Sequence, residues 1–188
     1  MTKKRDKQLV VSNLLMTIQQ GLPDKVKMAL SELSSIGNLS IIPDLLEILI
    51  KEENHINKNL ITEFIANVQD PGIVQINMDF MNSFENLDKL KSVTPCIWNS
   101  KHDYSQYIAD FVSLSVEGDY LLALECLTVI EQMTGPFNES WLLESQLYLK
   151  EYIEKSNNRG ERKDIIISDI AYFIKEQNNS VDADLMLE

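Results

Sequence analysis

Apolar residues along this chain recur at the three- and four-residue spacing of α-helices, and short polar breaks rich in Gly, Pro, Asn and Asp interrupt them. Over residues 6–20, Leu9, Val10, Leu14, Met16 and Ile18 predict a first helix that stops at Gly21. Pro23 and Asp24 open a second, striped by Val26, Ala29, Leu30, Leu33 and Ile36 and closed at Gly37, since helices commonly end on a residue that accepts positive φ. Ser40 is placed to cap a third helix. Its first turn holds Pro43, where the missing N–H has no intrahelical partner to lose. Residues 56–68 and 73–84 predict a fourth and a fifth helix on either side of the Asp70-Pro71-Gly72 turn.

Periodicity lapses over residues 86–103, which read as a short helix followed by an irregular connector. It returns at Tyr104 with Ile108, Phe111, Val112 and Val116. After the Glu117-Gly118-Asp119 turn comes a strongly apolar helix over 120–133, stopped by Gly135 and Pro136. Asn138 can cap the next helix, on which Trp141, Leu142, Tyr148, Leu149, Tyr152 and Ile153 form a wide apolar surface. A polar turn at 157–160 leads to a last helix over 164–177. Its Ile165-Ile166-Ile167 run also suits a strand, but no partner strand is evident elsewhere. Residues 178–188 are polar and acidic and are expected to be a disordered tail.

The first helices contain a repeat. Residues 24–52 and 56–84 align at an offset of 32, with Leu33, Ile36, Ile41, Ile42, Leu46 and Leu49 opposite Ile65, Val68, Ile73, Val74, Met78 and Met81. A period of this length marks helical arrays, because one helix pair cannot cover its own apolar face. At an offset of 48 the Glu117-Gly118-Asp119 turn meets residues 69–71, so the connector reads as an insertion into a third unit. The expected fold is all-α: a short α-α superhelix of about nine or ten helices in a single domain over 1–177.

The segment MALSELSSIGNLSIIPDLLEIL resembles the HEAT-repeat pattern, a helix ending A-x-x-x-L-x-x-[IL]-G followed by a helix starting I-P-x-L-x-x-L. Ala29, Leu33, Ile36, Gly37, Ile42, Pro43, Leu46 and Leu49 carry the match. The second unit departs from it, with Gln69 in place of Gly and Gln75 in place of Pro. The resemblance covers 24–84 and implies an α-solenoid that offers a concave surface to a partner. It implies no reaction, because such arrays serve many unrelated roles.

Charge narrows the choice of partner. The 188 residues carry a formal charge of -12, which disfavours a nucleic-acid backbone, since phosphate binding runs on clustered Lys and Arg. The one basic cluster, Lys3, Lys4, Arg5 and Lys7, reads as a solvated terminus. The most apolar window, 41–50, contains Asp44 and Glu47 and is too short to span a bilayer. The start lacks a secretory apolar run, and the two cysteines read as reduced thiols, so a soluble cytoplasmic protein is expected.

Chemistry is sparse. His55 and His102 are isolated and Cys96 and Cys126 are far apart in sequence, so no metal-ligand spacing is present and no metal or cofactor is expected. No Gly-rich phosphate cradle occurs. Cys96 near His102 could form a nucleophilic pair, but a thiol packed beside Trp98 is the simpler reading. Aromatic residues gather in the C-terminal half. Trp98, His102 and Tyr104 in the connector, with Trp141, Tyr148 and Tyr152 along one helix side, are the candidate partner-binding residues, although the last three also suit a core-capping role. The preferred function is a non-catalytic adaptor or scaffold binding a protein with a basic segment. A small acidic inhibitor or immunity-type protein that blocks a basic partner such as a nuclease is the alternative, and a HEAT-like lyase working through Cys96 and His102 ranks third.

Overall fold

The computed structural model describes the backbone over residues 2–36, 38–155 and 161–185, with side chains over 7–36, 38–155 and 162–178. Among these residues the chain is all-α. Eleven α-helices follow in order: α1 (Thr2–Gln20), α2 (Pro23–Ile36), α3 (Ile42–Lys51), α4 (His55–Ala66), α5 (Gly72–Ser83), α6 (Leu87–Leu90), α7 (Thr94–Trp98), α8 (Ile108–Glu117), α9 (Tyr120–Glu131), α10 (Glu139–Lys155) and α11 (Glu161–Leu185), with 3₁₀ turns at Leu39–Ile41 and Ser105–Tyr107. The helix-ending role of Gly37 and the turn at 157–160 fall outside the described residues, as do 186–188. Helix α11 continues to Leu185, so residues 178–185 are helical where a disordered tail was expected.

Local chemistry sets many of the helix starts. Asn38, not Ser40, supplies the cap before α3: its side chain accepts from the Ser40 N–H at 3.0 Å, and the 3₁₀ turn that follows runs straight into α3, with Pro43 in the first turn. Asn54 caps α4 by accepting from the Ile56 and Asn57 N–H groups. Asp119 caps α9 through the Leu122 N–H at 2.8 Å, and Asn138 accepts from the Ser140 N–H where α10 begins. Each cap satisfies an amide that the helix itself leaves unpaired.

Asp119 also pairs with Lys91 at 3.2 Å. The Leu122 N–H first, and Lys91 with it, hold its carboxyl below the ordinary carboxylate range against the opposing effect of burial. A carboxyl with a depressed folded pKa contributes stability that is present above its unfolded pKa and lost as pH falls through the folded value. Asp119→Ala should therefore cost about 1 kcal/mol near neutrality, as the loss of a cap does. The gap between the variant and the parent should shrink below about pH 4, the unperturbed carboxylate range. Denaturant titrations of both proteins across that range check the prediction.

Packing arranges the helices in two rows. One row runs α2, α4, α7, α9, α11, each helix packed on the next. The other runs α1, α3, α5, α8, α10. Its step from α5 to α8 is bridged by Asn82 Nδ2 donating to Asp110 Oδ1 at 2.8 Å, and Tyr107 Oη, in the 3₁₀ turn that leads into α8, donates to Gln75 Oε1 at 2.7 Å. Across the rows α1 packs on α2, α3 on α4, α8 on α9 and α10 on α11. One apolar cluster extends through both rows from Ile18 to Ile174.

The offset of 32 survives this arrangement. It maps α2 onto α4 and α3 onto α5, helices of the same row, and its six paired positions agree in burial: five pairs are buried, and Ile36 and Val68 are both half-buried. The offset of 48 does not survive. It sets Leu121, 49% exposed, against Ile73, 1% exposed, and places α8 and α9 in each other's rows. The cause lies in the connector. Residues 86–103 are no insertion: they include α7, whose five residues fill the place between α4 and α9, with Thr94, Cys96 and Ile97 buried. A helix of that length completes barely more than one turn, too little for a 3.6-residue period to register.

Candidate partner-binding site

The six aromatic and histidine candidates separate into two groups. Trp98, His102 and Tyr104 line a cavity of about 250 Å³ between the connector and the end of α9. Trp98 is half-buried and its Nε1–H donates to Glu125 Oε2 at 2.8 Å. His102 Nε2 donates to the Val68 carbonyl at 2.8 Å, tying the connector to the end of α4. Tyr104 is only 3% exposed and accepts at its Oη from Asn77 Nδ2 at 2.9 Å. Burial pushes its hydroxyl up to about 12, only partly offset by that hydrogen bond. A side chain so enclosed offers no surface to a partner, and Tyr104 belongs to the interior.

Trp141, Tyr148 and Tyr152 share one side of α10, as their spacing predicts, and all three are half-buried against the core. Their hydroxyls have local partners: Tyr148 Oη donates to Glu144 at 3.0 Å and Tyr152 Oη to Asp164 at 3.0 Å. The Lys163 ammonium lies 5.1 Å from the Tyr152 ring centroid and donates to the carbonyls of Val116 and Gly118 at 2.7 and 2.6 Å, closing the C-terminus of α8. Tyr152 is thus a strut between α10 and α11, and Tyr148 is the member of this group that reaches an open groove.

That groove, of about 430 Å³, lies between the end of α5, α8 and α10. Met81, Phe84, Leu87 and Leu114 lie beneath it, Met81 and Leu114 almost wholly buried, and the surface that opens into it is mainly polar. Glu85, Asp110, Glu117 and Glu144 contribute carboxylates, and no basic side chain lines it. The field is felt by its neighbours. The hydroxyl of Tyr148 is raised by its hydrogen bond to Glu144, then by desolvation and by the charges of Glu144, Asp110 and Glu117. Tyr107 is raised by desolvation first and then by Asp79 and Asp110. The four carboxylates come from three separate stretches of chain. Nothing in the sequence marks them beyond the general acidity, and only the juxtaposition of α5, α8 and α10 gathers them.

A larger hollow of about 600 Å³ lies between α2 and α4, floored by Leu30, Leu33, Leu60 and Phe64. Its charges are mixed, with Lys27, Glu63 and Asp70 all in its lining. Cys96 is fully buried, and burial pushes its thiol up to about 12 despite a hydrogen bond with Thr62. The thiolate is the nucleophile, so Cys96 carries next to none at neutral pH. Cys126 is buried and raised for the same reason. Among the described residues no group of three or more His, Cys, Asp or Glu side chains is placed to hold a metal ion, and no helix is long and apolar enough to cross a membrane. No protein-family model, curated protein or solved structure matches this chain.

Proposed function

We propose that this protein is a non-catalytic helical-repeat adaptor of HEAT-like character that binds a protein partner through a basic, amphipathic segment. The observation that carries the reading is the groove between α5, α8 and α10, where four carboxylates meet without a basic side chain. The carboxylates steer and orient the Lys and Arg side chains of a helical or extended segment, and the half-buried Phe84 and Leu87 offer its apolar side chains a small contact. The mixed charges of the α2–α4 hollow select no partner chemistry, which leaves the acidic groove as the site with a readable preference. The HEAT-like pattern over 24–84 supports the scaffold role and supplies no chemistry of its own.

The test uses a synthetic amphipathic Lys/Leu peptide as probe, with binding followed by calorimetry. The parent protein should bind it with an affinity that falls steeply as salt rises. Glu117→Gln combined with Glu144→Gln should weaken binding about tenfold, the effect expected for losing two rim charges worth roughly 1.4 kcal/mol together. Hydrogen-exchange protection on peptide binding should fall on α5, α8 and α10. Protection confined to the α2–α4 hollow, or an affinity indifferent to salt, would overturn the assignment.

A further inference from the structure

We propose that copies of this chain associate head to tail, the outer face of the α1–α2 hairpin of one copy seating on the outer face of the α10–α11 hairpin of the next. The first observation is where exposed apolar surface lies. Among the described residues, every large apolar side chain more than half exposed falls within residues 9–28 or 143–172. Met28 reaches 72% and Tyr172 65%, whereas the most exposed one in the intervening hairpins, Leu121, stops at 49%.

These side chains form faces. On α1, Val11, Leu14, Leu15 and Ile18 turn toward the core, and the helical repeat sends Leu9 and Met16 to the opposite side. Met28 stands across α2 from its buried stripe in the same way. On α10 and α11, Leu147, Ile165 and Tyr172 stand opposite the buried Leu149, Ile166 and Ile170. In a helical stack each hairpin covers the apolar face of its neighbour, and a hairpin face with no neighbour on it needs either a polar surface or a covering partner. Here the outer faces carry exposed apolar side chains among polar ones.

Charge chooses the occupant. Although the chain as a whole is strongly acidic, the described side chains of residues 7–36 include three basic groups against two carboxylates, a formal +1. The described side chains of residues 139–155 and 162–178 include seven carboxylates against five basic groups, a formal -2. First face on last face joins opposite charges, whereas either face on itself joins like charges. A heterologous contact between copies is therefore favoured over a two-fold one.

Two substitutions at exposed positions test this, Met28→Glu on the first face and Tyr172→Glu on the last, with circular dichroism confirming that each variant keeps its helix content. In sedimentation equilibrium the parent chain, 21.6 kDa, should show an average mass that climbs with concentration past that of a dimer and falls at high salt. Each variant alone should remain at the mass of one chain. An equimolar mixture should form dimers and nothing larger, because Met28→Glu still offers an intact last face and Tyr172→Glu an intact first face. A parent that stays monomeric throughout, a single variant that still dimerises, or a mixture that fails to pair would overturn the proposal.

Discussion

Replacing Phe111 with alanine is expected to destabilise the protein by about 3–5 kcal/mol, the range for deleting a buried aromatic side chain. Phe111 is fully buried on α8, the helix that packs on α9, α10 and α11. Its ring meets Tyr104 edge-on, centroids 6.5 Å apart at 80°, an arrangement that adds a favourable ring contact to the burial itself. The loss has two parts: the transfer free energy of the ring and the cavity left when rigid helices on several sides cannot collapse into the space. For a chain of this size the midpoint of thermal unfolding should fall by on the order of 10 °C. In denaturant titrations followed by tryptophan fluorescence, the transition should move to lower denaturant with little change in slope. Phe111→Leu keeps most of the volume and should recover more than half of the loss. If alanine cost less than about 1 kcal/mol, α8 would not be the packing centre the structure makes it.

Replacing Glu125 with alanine should cost about 2–3 kcal/mol, and for a different reason. Its carboxylate accepts from Trp98 Nε1 at 2.8 Å and from Thr94 Oγ1 at 3.2 Å, so one side chain of α9 holds both ends of α7. Thr94 is wholly buried and Trp98 half-buried. Removing the acceptor strands the Trp98 indole N–H and leaves the Thr94 hydroxyl only the Lys91 carbonyl at 3.4 Å, and a donor that loses its partner costs more than a typical hydrogen bond contributes. Glu125→Gln keeps an acceptor oxygen and should cost about 1 kcal/mol, the value of the charge assistance alone. Amide exchange should accelerate across residues 87–98 in the alanine variant while α2 and α3 keep their protection, because local opening follows the contacts that are lost. In the Trp98→Phe background the alanine substitution should cost less, since the indole N–H that it would strand is gone. Unchanged exchange over 87–98 would show that α7 is held by apolar packing without this clamp.

The helices themselves were largely legible, for reasons visible at particular residues. Val26, Ala29, Leu30 and Leu33 follow the helical period and are all buried. Asp119 and Asn138 stand at helix starts because a side-chain oxygen there can take an otherwise unpaired amide. Gly135 ends the segment after α9 at φ 72°, a backbone setting that suits a residue without Cβ. The aromatic candidates were legible only in part. Spacing places Trp141, Tyr148 and Tyr152 on one side of α10, but only packing distinguishes Tyr148 beside an open groove from Tyr152 bridging to α11. Tyr104 and Trp98 sit close together in the chain, yet Tyr104 is interior and Trp98 half-buried. The difference follows from what α5 and α9 bring against them.

By itself the amino-acid order determined that the chain is helical, where most helices begin and end, and that residues 24–84 repeat at an interval of 32. Periodicity reports which face of a helix avoids water, and a cap reports where its backbone needs a partner, so both are local properties of a few neighbouring residues. Tertiary structure alone decided the rest. It made α7 a member of its row, reversed the pairing expected for α8 and α9, and gathered Glu85, Asp110, Glu117 and Glu144 around one groove. These outcomes depend on which helix covers which. An apolar stripe states only that it must be covered, and the hydrophobic effect that enforces the covering carries no direction of its own.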